Sequence, residues 1–232
     1  MIPILDADPE SPFPPVDQAL DNPPGLLAAG GDLSPARLVN AYRHGIFPWY
    51  SDDQPILWWS PAPRCVLYPW AVHVSRRLRR HYNQGRFRVT ADQAFSPVVK
   101  ACAAPRRDHD ETWITADMFR AYVRLHDARI AHSVEVWVDD ELAGGIYGLA
   151  LGQVFFGESM FSSHRDASKI ALIALCRQLH RWDFVLLDCQ ISNPHLLSMG
   201  AEEISRADFQ QHLQNAAGTD RWGTDFDCTI RW

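Results

Sequence analysis

From residue 131 onward the chain changes period in an ordered way. Val134, Val136 and Val138 alternate with Ser133, Glu135, Trp137 and Asp139, a spacing of two that predicts the first strand of a meander. Asp139-Asp140 predicts a turn into an apolar strand at 142–150, and Leu151-Gly152 a turn into a third strand at 153–161. The period then becomes helical. Leu172, Leu175, Cys176 and Leu179 recur on one face with Lys169, Arg177 and His180 opposite, which predicts a helix over 167–182 crossing to a strand at 184–190. Upstream, Ser34-Pro35 and Gly45 bracket a helix over 35–44, and Thr115 caps one that runs to about 128. Downstream, Asn193-Pro194 opens a helical turn stopped by Gly200, and Ser205 with Asp208 forms a capping box for the last helix. Weak alternation over 218–232 predicts an edge strand.

The first 22 residues are rich in proline and acids and read as an irregular arm. After the first helix, Ile46-Phe-Pro-Trp-Tyr50 and Ile56-Leu-Trp-Trp-Ser-Pro61 pack aromatics between prolines too densely for a plain loop. They serve either as the core of a small subdomain or, through Trp49, as a stacking surface in a cleft. Longer periodic segments begin at Arg64. This places a domain boundary near Ala62, with a small N-terminal domain over 1–62 and a larger domain over 63–232.

Composition narrows the function classes. A chain of 232 residues, 47% hydrophobic with 22% charged, is an ordinary globular protein, and its apolar runs fall short of the roughly 20 residues that span a bilayer. No basic segment followed by an apolar one opens the chain, so no export is expected. Five widely spaced cysteines without a Cys-x-x-Cys pair argue against a disulfide framework and fit a reducing cytoplasm. Ten histidines without His-x-x-x-His spacing give no reason to expect a metal. The net charge of -6 confines nucleic-acid binding to a local patch, and Ser75-Arg76-Arg77-Leu78-Arg79-Arg80, followed by Arg86 and Arg88, supplies one. The alternative is a solvated helix face.

Two acids and an amide sit at strand positions among aromatics, namely Glu158, Asp188 and Gln190. Burying a carboxylate is costly unless partners or function compensate, so either acid alone is a paired structural group or a site residue. Asp188 and Gln190, two apart on one strand, are expected on the same face. The strand order resembles that of GNAT-type acyltransferases, whose pyrophosphate loop needs glycines for close backbone approach. Here the same place reads Ser162-Ser-His-Arg-Asp-Ala-Ser-Lys169 without a glycine, which weakens the reading as a coenzyme A-dependent N-acetyltransferase.

Six motifs in order carry a closer resemblance. Gly25-Leu-Leu-Ala-Ala-Gly-Gly-Asp-Leu-Ser-Pro, Gly45-Ile-Phe-Pro-Trp, Leu57-Trp-Trp-Ser-Pro, Glu111-Thr-Trp-Ile-Thr, Gly157-Glu-Ser-Met-Phe-Ser and Leu187-Asp-Cys-Gln resemble those of the bacterial leucyl/phenylalanyl-tRNA-protein transferases. The resemblance implies an α+β protein, a GNAT-like domain with a mainly antiparallel mixed sheet flanked by helices. It implies an enzyme without a cofactor that moves Leu, Phe or Met from aminoacyl-tRNA to the amine of a protein beginning with Arg or Lys, creating a degradation signal. The catalytic set then falls on Asp188, Gln190 and Glu158. The donor pocket falls on Ile146, Phe155, Met160, Leu172, Leu175 and Leu179, with Trp49 and Trp113 beside the terminal adenosine. Ile146 departs from the methionine expected there, and Phe155 shares a face with Met160 only if a bulge lies near Gly157. Arg76, Arg77, Arg79 and Arg80 become the acceptor-stem patch. A tRNA-binding protein without catalysis needs only those arginines.

Overall fold

The computed structural model describes residues 2–104, 114–218 and 222–230. Strands β1 (Ile4–Leu5) and β2 (Leu26–Gly30), helix α1 (Pro35–Arg43), and strands β3 (Phe47–Pro48) and β4 (Leu57–Trp59) make a small sheet in the order β1-β2-β4-β3. Ser34 caps α1 by accepting from the Arg37 amide, and Gly45 ends the turn beyond α1 at φ +75°. The arm before β2 is anchored by buried Arg37, whose guanidinium donates to the carbonyls of Asp6, Asp8 and Ser11. Trp58 is the centre of this layer, fully buried with Phe13 edge-on at 4.9 Å.

The second sheet begins at β5 (Arg64–Leu67), so the change of sheet falls between Trp59 and Arg64. Then follow α2 (Arg76–Tyr82), β6 (Phe87–Ala91), α3 (Phe95–Ala103), α4 (Ala116–Asp127), β7 (Ala131–Val138), β8 (Glu141–Leu151), β9 (Val154–Ser162), α5 (Ala167–Arg181), β10 (Leu186–Gln190), α6 (Pro194–Ser198), β11 (Glu202–Ile204) and α7 (Arg206–Asn215). Their order is β11-β5-β10-β9-β8-β7-β6. Only β10 with β9 is parallel among these ladders, because α5 carries the chain across between them. The fold is α+β, with a GNAT-like sheet in which a helix-linked parallel strand follows an antiparallel meander.

The two faces of the large sheet have different neighbours. Ile146, Phe155 and Met160 face α5, whereas Tyr147, Leu149 and Phe156 face α3, α4, α1 and the small sheet in one continuous core. That core runs without a break across the change of sheet at residues 59–64. Helix α5 is buried on nearly every side, so the expected one-sided face is broader than its period implies.

The arginine run and the tail differ from a simple reading of the sequence. Arg88 lies in β6, apart from the arginines of α2, since Phe87 to Ala91 pair with β7. The described part of the tail, 222–230, is not a strand. Instead Trp222 stacks on His132 at 4.1 Å and donates to Asp92 at 3.1 Å, and Ile230 reaches the α5 core. Aromatic burial against the finished sheet outweighs weak alternation there. No described helix is long and apolar enough to cross a membrane.

Candidate active site

The site begins with a bulge. Tyr147 pairs with Ser159 and the next residue, Gly148, pairs with Gly157, which leaves Glu158 without an opposite number. A Cβ on Gly148 would stand 2.1 Å from the Phe156 carbonyl oxygen, so only glycine admits this backbone approach. The extra residue brings Phe155 and Met160 to the same side of the sheet and turns Glu158 toward the opposite core.

Strands β9 and β10 then part. Their register runs Leu186–Val154, Leu187–Phe155 and Asp188–Phe156 and ends there, while β9 continues to Ser162 and Gln190 turns into left-handed backbone at φ +62°. A cavity of about 270 Å³ fills the gap. Glu158, Met160 and Gln190 line it from the strands, with Ile146, Leu172 and Trp49 around them. Trp49 is 41% exposed at the mouth, its ring 5.5 Å from that of Trp59.

Glu158 is held by three partners. The Tyr42 hydroxyl donates to Oε1 at 2.7 Å, the Tyr122 hydroxyl to Oε2 at 2.5 Å, and the Gln190 side-chain amide to Oε1 at 3.1 Å. The two phenol oxygens also touch each other at 2.7 Å. With both phenol protons on the carboxylate the contact between the phenols has none; protonating the carboxyl lets it donate to one phenol, which then donates to the other. Burial is the largest effect on this acid and, with the nearby Asp188 charge, raises its pKa from 4.5 to about 7 against the lowering effect of its donors. The same desolvation, with Glu158 beside them, holds Tyr42 and Tyr122 well above the ordinary phenol range.

Asp188 is placed differently. It is fully buried and salt-bridged twice by Arg64, at 2.8 Å from Nε and 2.7 Å from Nη2. Arg64 is itself buried, donates to the Gly45 carbonyl at 3.1 Å, and lies over the rings of Phe47 and Phe209. Asp188 also accepts from the backbone amide of Gln190 at 2.9 Å, which pins the turn that aims the Gln190 side chain at Glu158. Asp188 therefore does not line the cavity and touches the site through the backbone of Gln190. The expected same-face pairing on a regular strand gives way to a register shift between the two residues.

Of the sequence-predicted pocket residues, Ile146, Met160, Leu172 and Trp49 line the cavity. Phe155, Leu175 and Leu179 are instead buried in the core, each at or below 1% exposure, because α5 turns the two leucines onto neighbouring side chains and Phe155 on β9 packs against Trp222 at 5.7 Å. Trp113 lies outside the described residues. Arg76, Arg77, Arg79 and Arg80 are all exposed on α2 and make no ion pair among the described residues, whereas Arg86 and Arg88 face Asp139 and Asp140 at 3.6 and 3.2 Å. The expected six-arginine patch is thus four. Sequence reasoning missed Arg64, Tyr42 and Tyr122. The only hint was an arginine inside the apolar run that starts β5.

The start of α5, where the sequence shows no glycine, is tied up by the protein's own contacts. Asp166 stands at the start of α5 at φ +66°, its carboxylate ringed by His81 at 3.0 Å, Arg165 at 3.6 Å and Lys169 at 3.9 Å. The Ala167 amide donates to the His164 carbonyl and the Ser168 amide to Ser162 Oγ. Two amides at this helix start are therefore already engaged, and the basic side chains around it are turned to Asp166. Among the described residues no three His, Cys, Asp or Glu side chains group as metal ligands.

A meander with one helix-linked parallel strand thus parts over a small apolar recess with an acid and an amide at its rim, and matches to known proteins place the chain among the aminoacyl-group transferases. A family model described as leucyl/phenylalanyl-tRNA protein transferase matches residues 66–214, and one for the N-terminal domain of the same proteins matches 31–62. The chain belongs to the leucyl/phenylalanyl-tRNA–protein transferase family. Proteins of that name from Alkalilimnicola ehrlichii, Aromatoleum aromaticum and Pseudomonas syringae are 58%, 56% and 59% identical to it. The matches cover 90%, 97% and 87% of this chain and 81%, 96% and 88% of those proteins. Among solved structures, a GCN5-related N-acetyltransferase from Kribbella flavida aligns with a TM-score of 0.40 at 9% identity, over 74% of this chain and 61% of that one.

Proposed function

We propose that the chain transfers Leu, Phe and Met from aminoacyl-tRNA to the α-amine of proteins beginning with Arg or Lys. The observation that carries this reading is the Glu158–Gln190 contact at the rim of the recess between β9 and β10. At about 270 Å³ the recess is near the small end of ligand sites, roughly 300–1,000 Å³, in keeping with one amino-acid side chain. Ile146, Met160 and Leu172 offer the donor side chain an apolar wall. Pocket burial of this kind separates side chains differing by a methylene by only about 10–200-fold, so more than one donor is accepted.

The reaction needs little beyond placement. The aminoacyl ester is already activated; the neutral amine attacks its carbonyl carbon, the new C–N bond forms, and the ester C–O bond breaks. The amine loses one proton and the departing ribose oxygen gains one. A free α-amine has a pKa of roughly 7.7–8.0, so a weak acceptor suffices once it is positioned. Gln190 donates its amide N–H to Glu158, which leaves its carbonyl oxygen to accept from the incoming amine. Asp188 is a positioning residue, neutralised by Arg64 and fixing the Gln190 turn. The anionic partner for an Arg or Lys side chain is therefore Glu158 alone, and cation binding favours its ionised form.

Arg76, Arg77, Arg79 and Arg80 serve the acceptor stem by phosphate contact. The free thiols Cys65, Cys102, Cys176, Cys189 and Cys228 fit work in a reducing cytoplasm. The test is one assay with two donors: labelled leucyl-tRNA, then labelled acetyl-coenzyme A, each with a peptide beginning with Arg. Transfer from leucyl-tRNA alone is the expected result, and acetyl transfer overturns the reading.

A further inference from the structure

A second recess, of about 370 Å³, lies along the C-terminal half of α5, away from the cavity between β9 and β10. Val74 and Ile230 line it, and Trp70, Arg177 and His180 stand at its edge. Trp70 sits on a single helical turn at 69–71 packed against α5, and it is 59% exposed. Its ring leans on Tyr68 at 5.0 Å and faces His180 at 6.4 Å, so it is held as a platform with one side open. A tryptophan this open has no role in the core.

The surrounding charge gives the platform a partner. Arg177 lies close enough to Arg79 that, after partial burial, their repulsion lowers its pKa, so the cationic face of α2 continues onto α5. The Ile230 amide donates to the Tyr82 hydroxyl at 3.4 Å, which joins the recess to the last turn of α2. One acid, Asp227, lines the recess, and Arg181 neutralises it at 2.5 Å. An aromatic face flanked by clustered positive charge is the arrangement that takes single-stranded nucleic acid, by stacking on the base and pairing with its phosphates. A protein beginning with Arg or Lys is repelled here.

We propose that this recess is a second RNA contact, where Trp70 stacks on an unpaired base of the aminoacyl-tRNA and Arg79 and Arg177 hold the phosphates beside it. The base must be unpaired, since bases within an A-form stem are stacked on one another and offer no face. This rests on the aminoacyl-tRNA reading above, and the test separates the two. Trp70→Ala and Trp70→Phe are assayed with leucyl-tRNA and with leucyl-adenosine, which carries the ester but no further nucleotides. Stacking of one base leads us to expect about a fivefold or greater rise in KM for leucyl-tRNA with Trp70→Ala. Trp70→Phe recovers most of it, KM for leucyl-adenosine does not move, and the salt slope of tRNA binding stays as in the wild type. Equal loss with both donors marks Trp70 as merely structural and overturns the proposal, as does an unchanged KM for leucyl-tRNA or a rise confined to the acceptor peptide. If the wild-type protein transfers from neither donor, the transferase reading itself falls.

Discussion

Replacing Glu158 with Gln isolates an acid whose titration the fold has moved up to about 7. In the folded protein this carboxyl titrates at about 7 against 4.5 when unperturbed. A raised carboxyl favours the protonated form on folding, so its stabilising contribution is full below about pH 4.5 and is lost as the pH rises through about 7. At 1.36 kcal/mol per unit, the share lost between about pH 5.5 and 8.5 is roughly 2 kcal/mol, an upper figure because the carboxyl edges an open cavity. A glutamine keeps the shape and still meets Tyr42, Tyr122 and Gln190, but it does not ionise. Urea unfolding of the two proteins across this range should show the wild type losing about 2 kcal/mol more than Glu158→Gln. Titrating histidines contribute equally to both and cancel in the difference. In the transfer assay the wild-type KM for a peptide beginning with Arg should fall as the pH rises through about 7, when the carboxylate forms. Glu158→Gln should show a KM raised roughly tenfold or more and indifferent to pH over that interval. Parallel stability curves for the two proteins would sink the argument about burial, and an unchanged acceptor KM would remove Glu158 from recognition.

Arg64→Met leaves the buried Asp188 carboxylate without its counter-charge, and roughly 3–5 kcal/mol of stability should disappear on urea unfolding, with transfer activity falling alongside it. Arg76→Ala with Arg80→Ala should weaken tRNA binding and reduce the slope of log affinity against log salt by roughly 0.9 for each phosphate no longer neutralised, as read by filter binding; an unchanged slope returns α2 to a solvated face. Leu172→Ala enlarges the recess and should shift the ratio of Phe to Leu transfer by about tenfold toward Phe in donor competition, at a cost of roughly 2–5 kcal/mol in stability. Gly148→Ala places a methyl against the Phe156 carbonyl and should lower the thermal midpoint by several degrees while disturbing the Glu158 bulge, so a wild-type midpoint with wild-type activity counts against so close a backbone approach.

The local grammar of this chain was legible residue by residue. Alternation in 131–161, the Ser34, Thr115 and Ser205 caps and the helical stripe of α5 each follow from neighbours a few positions away, and each is present in the structure. The acids among aromatics also stood out, because a charge in an apolar run is costly wherever the chain goes. What sequence could not assign were pairings across the fold. Arg64 meets Asp188 over 124 positions and Tyr42 meets Glu158 over 116, distances at which no periodicity operates. The same limit explains why Phe155, Leu175 and Leu179 read as pocket wall: a period says which side of an element is apolar, not whether that side meets a cavity or another side chain. It explains the tail as well, where Trp222 and Ile230 have no strong local preference and take their place only once the sheet is there to receive them. Sequence thus determined the elements and the residue types of the site. Only the closed tertiary structure decided which acid is neutralised and which stays at the rim, because burial and long-range partners set the cost of a charge.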